Sequence, residues 1–194
     1  MQTTKQMTMQ MQRHFRPLSA LMLAAGLLFF GPSAMGAETE PPALAVLGFE
    51  LVDDHPDPVR AELLHSRLAA IKKQLEQGLH ERKLYRVVDT DTIAAQALIN
   101  AQRERNQFLY RCNDCLADVG KRLGTRLVAV GWVQRVSELI LNVNVSVQDS
   151  QTGVEVLTKS VDLRGNTDET WARGVNFMLR DWAERRARNA RYGQ

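Results

Sequence analysis

Residues 139–148 read LILNVNVSVQ and place Leu141, Val143, Val145 and Val147 on one side, Asn142, Asn144, Ser146 and Gln148 on the other. Alternation with a period of two is the mark of a strand with one buried face. A polar second face predicts contact with water there, and with it antiparallel pairing. The turn 149–153 (DSQTG) leads directly into 154–163 (VEVLTKSVDL), so the two stretches form a hairpin. The apolar parity moves from Val154 and Val156 to Val161 and Leu163, which predicts a bulge. Immediately upstream, 126–136 (RLVAVGWVQRV) supplies a third strand, and together they make a carboxyl-side meander.

The first half of the chain has a different rhythm. Residues 43–52 (ALAVLGFELV) are nearly all apolar, the pattern of a central strand covered on both faces. The segment 53–58 (DDHPDP) ends it, with Asp57 as cap and Pro58 at the first helical position. Leu64, Leu68, Ile71, Leu75 and Leu79 then recur at helical spacing. Residues 84–88 (LYRVV) read as a strand, and Asp89 or Thr90 as the start of a helix with Ile93, Ala97 and Ile99 inward. Residues 112–123 form a short helix closed by Gly124. Asn166 or Thr167 caps a last helix that buries Trp171, Val175, Met178, Leu179 and Trp182. Its Arg-rich end, 185–191, is expected to fray. The expectation is an α/β fold: one domain at 43–184, with a mixed sheet of about five strands and about four helices.

Ahead of that domain, residues 1–36 carry Lys5, Arg13 and Arg16 and no acid. Residues 18–30 (LSALMLAAGLLFF) run 13 positions without a charge, long enough for a signal-peptide core and too short to span a bilayer. Small residues in 33–36 (SAMG) predict cleavage after Gly36, a short polar lead at 37–42 and a periplasmic product with no transmembrane anchor. No cysteine directly follows the apolar run, so no lipid anchor is expected. The chain has 25 basic and 22 acidic residues. Three of the basic ones leave with the leader, so the remainder is neutral and its charge does not suggest a nucleic-acid partner.

Chemistry-bearing residues are few. Cys112 and Cys115 are the only cysteines. An oxidising compartment and a spacing that brings the Cα atoms to roughly 5 Å fit a structural disulfide. Thiol–disulfide exchange stays open, because a helix amino terminus stabilises a thiolate. Two thiolates alone make a poor zinc site. Glu50, Asp53, Asp54, His55 and Asp57 crowd the end of the first strand, where oxygen and imidazole ligands could hold a cation. Their Pro-punctuated setting favours a solvated loop, so no metal is assigned to them. His65 and His80 fall on the long helix, with surface placement expected. No nucleophile elbow, zinc-protease motif or phosphate loop occurs, so no catalytic residue and no cofactor are assigned.

Several stretches resemble known families. The opening ALAVLGFE and the strand 85–89 (YRVVD) are similar to the TolB amino-terminal-like domains, a fold shared with lipoprotein activators of cell-wall synthases and with curli-secretion proteins. Residues 119–133 (VGKRLGTRLVAVGWV) resemble their helix-into-strand step. Closer still is the resemblance to a family of small secreted bacterial proteins of unknown function. It rests on the C-x-x-C-L segment, the V-G-W-V strand, the D-x-x-T-G turn and the R-G-N-x-D-E-x-W helix entry. That resemblance implies an association with periplasmic quinoprotein alcohol oxidation but no active-site residues. The expected function is a non-enzymatic accessory protein that binds another periplasmic or envelope protein. Asn142 and Asn144 on the polar strand face, and Arg185 and Arg186 on the last helix, are the candidate contacts. A redox protein using the cysteine pair and an assembly or secretion accessory are the alternatives.

Overall fold

The computed structural model describes residues 40–54 and 56–194. The expected leader, its cleavage position, most of the polar lead and His55 lie outside the described residues. β1 (Ala43–Asp53) runs through the middle of a five-stranded sheet of order β2-β1-β3-β4-β5. β2 (Arg86–Val88) and β3 (Leu127–Arg135) flank it in parallel, while β4 (Ile140–Asp149) and β5 (Glu155–Arg164) continue antiparallel. The sheet is therefore mixed. α1 (Ala61–Glu81) connects β1 to β2 in one direction; α2 (Ile93–Asn106) and α3 (Asn113–Arg122) connect β2 to β3 in the other. Right-handed crossovers in opposite directions put their helices on opposite faces.

Two cores follow from that arrangement. On one face α1 and α4 (Asp168–Arg188) bury Leu64, Leu75, Trp171, Met178 and Trp182 against Leu44, Val143 and Val145. On the other, α2 and α3 pack chiefly on β1 and β3, through Ala45, Leu47, Ile99, Leu116, Val128 and Val130, with α3 also touching β4. All five apolar positions expected inward on α1 are buried. Thr167 caps α4 and forms a capping box with Thr170. Gly124 closes α3 at φ +65°.

The expected hairpin bulge is present. Val147 pairs with Leu157 but Gln148 with Glu155, so Val156 is the extra residue and the parity of β5 resets behind it. A second bulge lies hidden in the uniform apolar run of β1, where Leu47 and Gly48 together oppose Val130. Gly48 sits at φ +117°, and a Cβ there would stand 2.9 Å from Arg103 Nη2. Glycine meets both conditions. The shift turns Phe49 and Leu51 to the α1 face and Glu50 to the α2 face.

Three local expectations are corrected. β2 is only three residues long, with Leu84 and Tyr85 buried ahead of it. α2 is capped by Thr92 rather than Asp89 or Thr90, because Thr90 Oγ1 donates to Val46 O at 2.8 Å and Asp89 accepts from Asp91 N. Ile93 and Ala97 consequently face solvent, and Ala95 and Ile99 turn inward. The arginine-rich end does not fray: α4 continues to Arg188, and Gly193 is buried against Tyr85, whose hydroxyl donates to Gly193 O. Among the described residues, no helix is long and apolar enough to cross a membrane.

Candidate functional site

The acidic turn after β1 is held by arginines. Asp53 and Arg135 end paired strands and meet in register, Oδ2 lying 2.8 Å from Nη2. The bond to Asp53 holds the Arg135 guanidinium above its ordinary pKa. Arg135 also reaches Glu138 at 2.6 Å, and Glu138 contacts Arg60 at 2.8 Å. Asp57 accepts from Val59 N at 3.0 Å, capping a 3-10 turn at Pro58–Arg60. Asp54 is exposed. The bulge carries Glu50 away to the other sheet face. The carboxylates that crowd together in sequence are thus separated or spent on arginine and backbone. Among the described residues no group of three or more His, Cys, Asp or Glu side chains could hold a metal ion.

Glu50 instead organises the approach to the cysteines. Buried to 8 % exposure, it accepts the backbone N–H groups of Leu109 at 2.9 Å and Tyr110 at 3.1 Å. Arg103 Nε stands 3.8 Å from the same carboxylate while its Nη2 donates to Leu47 O at 3.0 Å. Tyr110 stacks on Trp132 with centroids 4.8 Å apart, and Arg111 lies 5.2 Å from the Tyr110 ring. This loop delivers Cys112 to the amino end of α3, where it is joined to Cys115 across a Cα separation of 5.6 Å. Cys115 is buried.

The polar row of β4 differs from the fully wet face expected of it. Asn144, Ser146 and Gln148 are buried, and Asn142 is half-buried. Side chains and loop backbone take up much of their bonding: Asn142 donates to Asp162 at 2.7 Å, Ser146 to Glu155 at 2.6 Å and Gln148 to Gly153 O at 2.6 Å, while Gln148 Oε1 has no partner among the described residues. Water instead reaches this face on β5, where Thr158, Ser160, Asp162 and Arg164 are exposed. Among the described residues no helix packs on β5 from that side, since α2 and α3 lie over β1 and β3 and α3 reaches no further than β4.

Arg185 is exposed and held by Asp181 at 2.9 Å, which keeps its pKa above the ordinary value. Arg186 is half-buried, donating to Tyr85 Oη at 2.8 Å and to Tyr192 O. The two adjacent arginines therefore differ: one lies at the surface and the other fastens the tail. His65 lies on the exposed side of α1, as does His80.

A groove of about 670 Å³ lies between β5 and α4, lined by Val161, Arg164, Arg173, Phe177 and Arg180 among others. Hydrophobic pattern alone does not show it, since it depends on β5 being the last strand of the sheet. The one sequence signal is the arginines and Phe177 sharing the side of α4 that the tryptophans do not occupy.

No curated protein sequence matches the chain. Solved structures similar to it include the LpoB C-terminal domain from Salmonella enterica, at 10% identity and a TM-score of 0.45, covering 66% of this chain and 87% of that one. Lipoprotein GNA1162 from Neisseria meningitidis is similar at 15% identity and a TM-score of 0.44, covering 77% and 99%. TolB from Acinetobacter baumannii is similar at 12% identity and a TM-score of 0.42, covering 77% of this chain and 29% of that one. Residues 42–182, nearly the whole described domain, match the family described as "Protein of unknown function (DUF2380)", and the chain belongs to that family.

Proposed function

We propose that this protein is an exported, non-enzymatic accessory domain of the bacterial envelope that acts by binding another protein. The observation that carries this reading is the exposed, one-sidedly covered last strand of the sheet. α4 packs on one face of β5, while on its other face Thr158, Ser160, Asp162 and Arg164 are exposed, and among the described residues no further strand pairs with its outer edge. The amino-terminal leader pattern supports export, and the joined cysteines suit an oxidising compartment. The resemblance to secreted proteins linked with quinoprotein alcohol oxidation makes such a system the first place to look for the partner. An assembly or secretion apparatus is the second.

Site-specific photo-crosslinking in the producing cells tests this reading. A photoreactive residue at Ser160 is expected to trap one defined envelope protein, and the same residue at His80 is not. Equal yields from the two sites would overturn it.

Thiol–disulfide exchange is the second reading, favoured by the placement of the bonded cysteines at the start of α3. It predicts a redox potential well above the range of resistant structural disulfides. Full function after Cys112→Ser and Cys115→Ser together would remove it.

A further inference from the structure

We infer that the outer edge of β5 and the arginine-lined groove beside it receive an extended, acidic segment of a partner protein, added to the sheet as a sixth strand. This inference rests on the partner-binding reading above and names its surface and ligand chemistry.

Among the described residues β5 is the terminal strand and hydrogen-bonds only to β4, so its far side offers backbone groups to an added strand. Beyond the bulge at Val156, residues 157–164 pair with β4 in unbroken register. That stretch can seat a segment of about six to eight residues at roughly 3.3 Å per residue. α4 overhangs the seat. Phe177, 51 % exposed, supplies an apolar contact, with the Arg180 guanidinium 5.4 Å from its ring.

Charge selects the occupant. Arg164, Arg173 and Arg180 line the groove. Arg173 has a partner in exposed Glu169 at 3.3 Å, whereas Arg164 and Arg180 have no ion pair among the described residues. The one acid in the lining, Asp162, accepts from Asn142. A smaller groove sharing Ser160, Val161 and Phe177 extends the path toward Arg185.

The same charges weigh against a second copy of the chain. Antiparallel pairing of two β5 edges about a two-fold axis would bring the Arg173, Phe177 and Arg180 side of one α4 against its equivalent. Inward-pointing Lys159, which binds Asp181 under the edge, is a further feature that natural edges use against indiscriminate pairing. An acidic strand with an apolar residue opposite Phe177 meets the backbone, the ring and the arginines together.

Fluorescence anisotropy on the purified protein tests this with three synthetic peptides. One is Glu-Glu-Val-Glu-Glu-Val-Glu-Glu, which presents both acids and a valine on either face of a strand, the second has Lys for every Glu, and the third is the acidic peptide N-methylated at alternate residues. The acidic peptide is expected to bind, and the Lys peptide and the methylated one are not. Arg164→Glu with Arg180→Glu should weaken binding by about tenfold or more, since both positions are exposed and their attraction becomes repulsion. Raising salt from about 50 to 500 mM should weaken it further by screening. A melting temperature unchanged by the double substitution shows that the fold is retained.

Equal binding of the acidic and Lys peptides would overturn the inference, as would unchanged affinity in the double variant. So would a dimer, seen by sedimentation, that excludes the peptide. If Ser160 still traps its envelope partner in the double variant, the docking inference falls and the partner-binding reading stands. If no partner is trapped at all, the broader reading falls whatever the peptides do.

Discussion

The Glu50 carboxylate receives the backbone N–H of Tyr110 at 3.1 Å, tying the middle of the central strand to the loop that carries the cysteines. Glu50 faces that loop only because Gly48 inserts an extra residue into β1. Removing the carboxylate leaves the Leu109 and Tyr110 N–H groups without their acceptor and Arg103 without its counter-charge. Glu50→Ala should therefore cost about 1 to 3 kcal/mol, and Glu50→Gln, which keeps one acceptor oxygen, clearly less. Urea denaturation measures the loss, and faster exchange at the Leu109 and Tyr110 amides locates it. Unchanged exchange in Glu50→Ala would show that the loop is held by other contacts.

Tyr85 makes alkaline stability measurable at one residue. Burial pushes its phenol up to about 12, despite the nearby Arg186 charge. The unfolded chain gives up this proton near 10 while the folded chain keeps it. The contribution is thus complete below pH 10 and is lost as pH rises through 12, amounting to about 3 kcal/mol at most. Tyr85→Phe should be less stable than the parent at pH 8, where the bonds to Gly193 and Arg186 are missing, and should approach it by pH 11. A constant difference across that window would show that Tyr85 does not titrate in this way.

Asp181 governs the acid side. The Lys159 bond holds its carboxyl below the usual range against the effect of burial, and Arg185 adds to it. A depressed carboxyl stabilises the fold above about 3.8, and that support disappears as pH falls through the lower folded-state value. Asp181→Asn should cost about 1 to 3 kcal/mol at pH 7, because the Lys159 charge is left buried to 6 % exposure. Its stability should also decline less steeply below pH 4 in urea titrations. An acid limb parallel to the parent's would assign acid sensitivity to other carboxylates.

The Cys112–Cys115 bond closes a loop with a sequence separation of only three. So small a loop removes little chain entropy, and replacing both cysteines with serine should cost about 2 kcal/mol or less. The effect should concentrate in hydrogen exchange over the first turn of α3. A global loss much larger than this would mean that the bond holds more than its own helix start.

Most of the fold was legible because burial imposes periodicity. The leucine stripe of α1, the alternation of β4 and the bulge between Val147 and Gln148 all leave marks in residue order. The bulge in β1 did not. A strand buried on both faces has no alternation to interrupt, so only Gly48 hinted at it. α2 was misplaced because Thr90 uses its hydroxyl on β1 before it could serve as a cap. Asn144 looked wet because polarity was taken for exposure, whereas it is buried. The β5 groove was least legible, since it depends on which strand ends the sheet. Residue types carry no record of that until the strand order is known.

The placement of β1 has a consequence for the order of assembly. β3, β4 and β5 are joined by short turns and can zip up locally, but β1 must pair with β3 across roughly eighty residues of intervening chain. Closing that loop costs entropy before any contact offsets it. The meander with α4 should therefore form early, and β1 should enter late between β2 and β3. Substitutions in the meander would then slow folding, and those along β1 would mainly hasten unfolding. Until β1 arrives, the inner edge of β3 stands as open as that of β5, making the late-entering strand the point at which a slow-folding molecule is most exposed to mispairing.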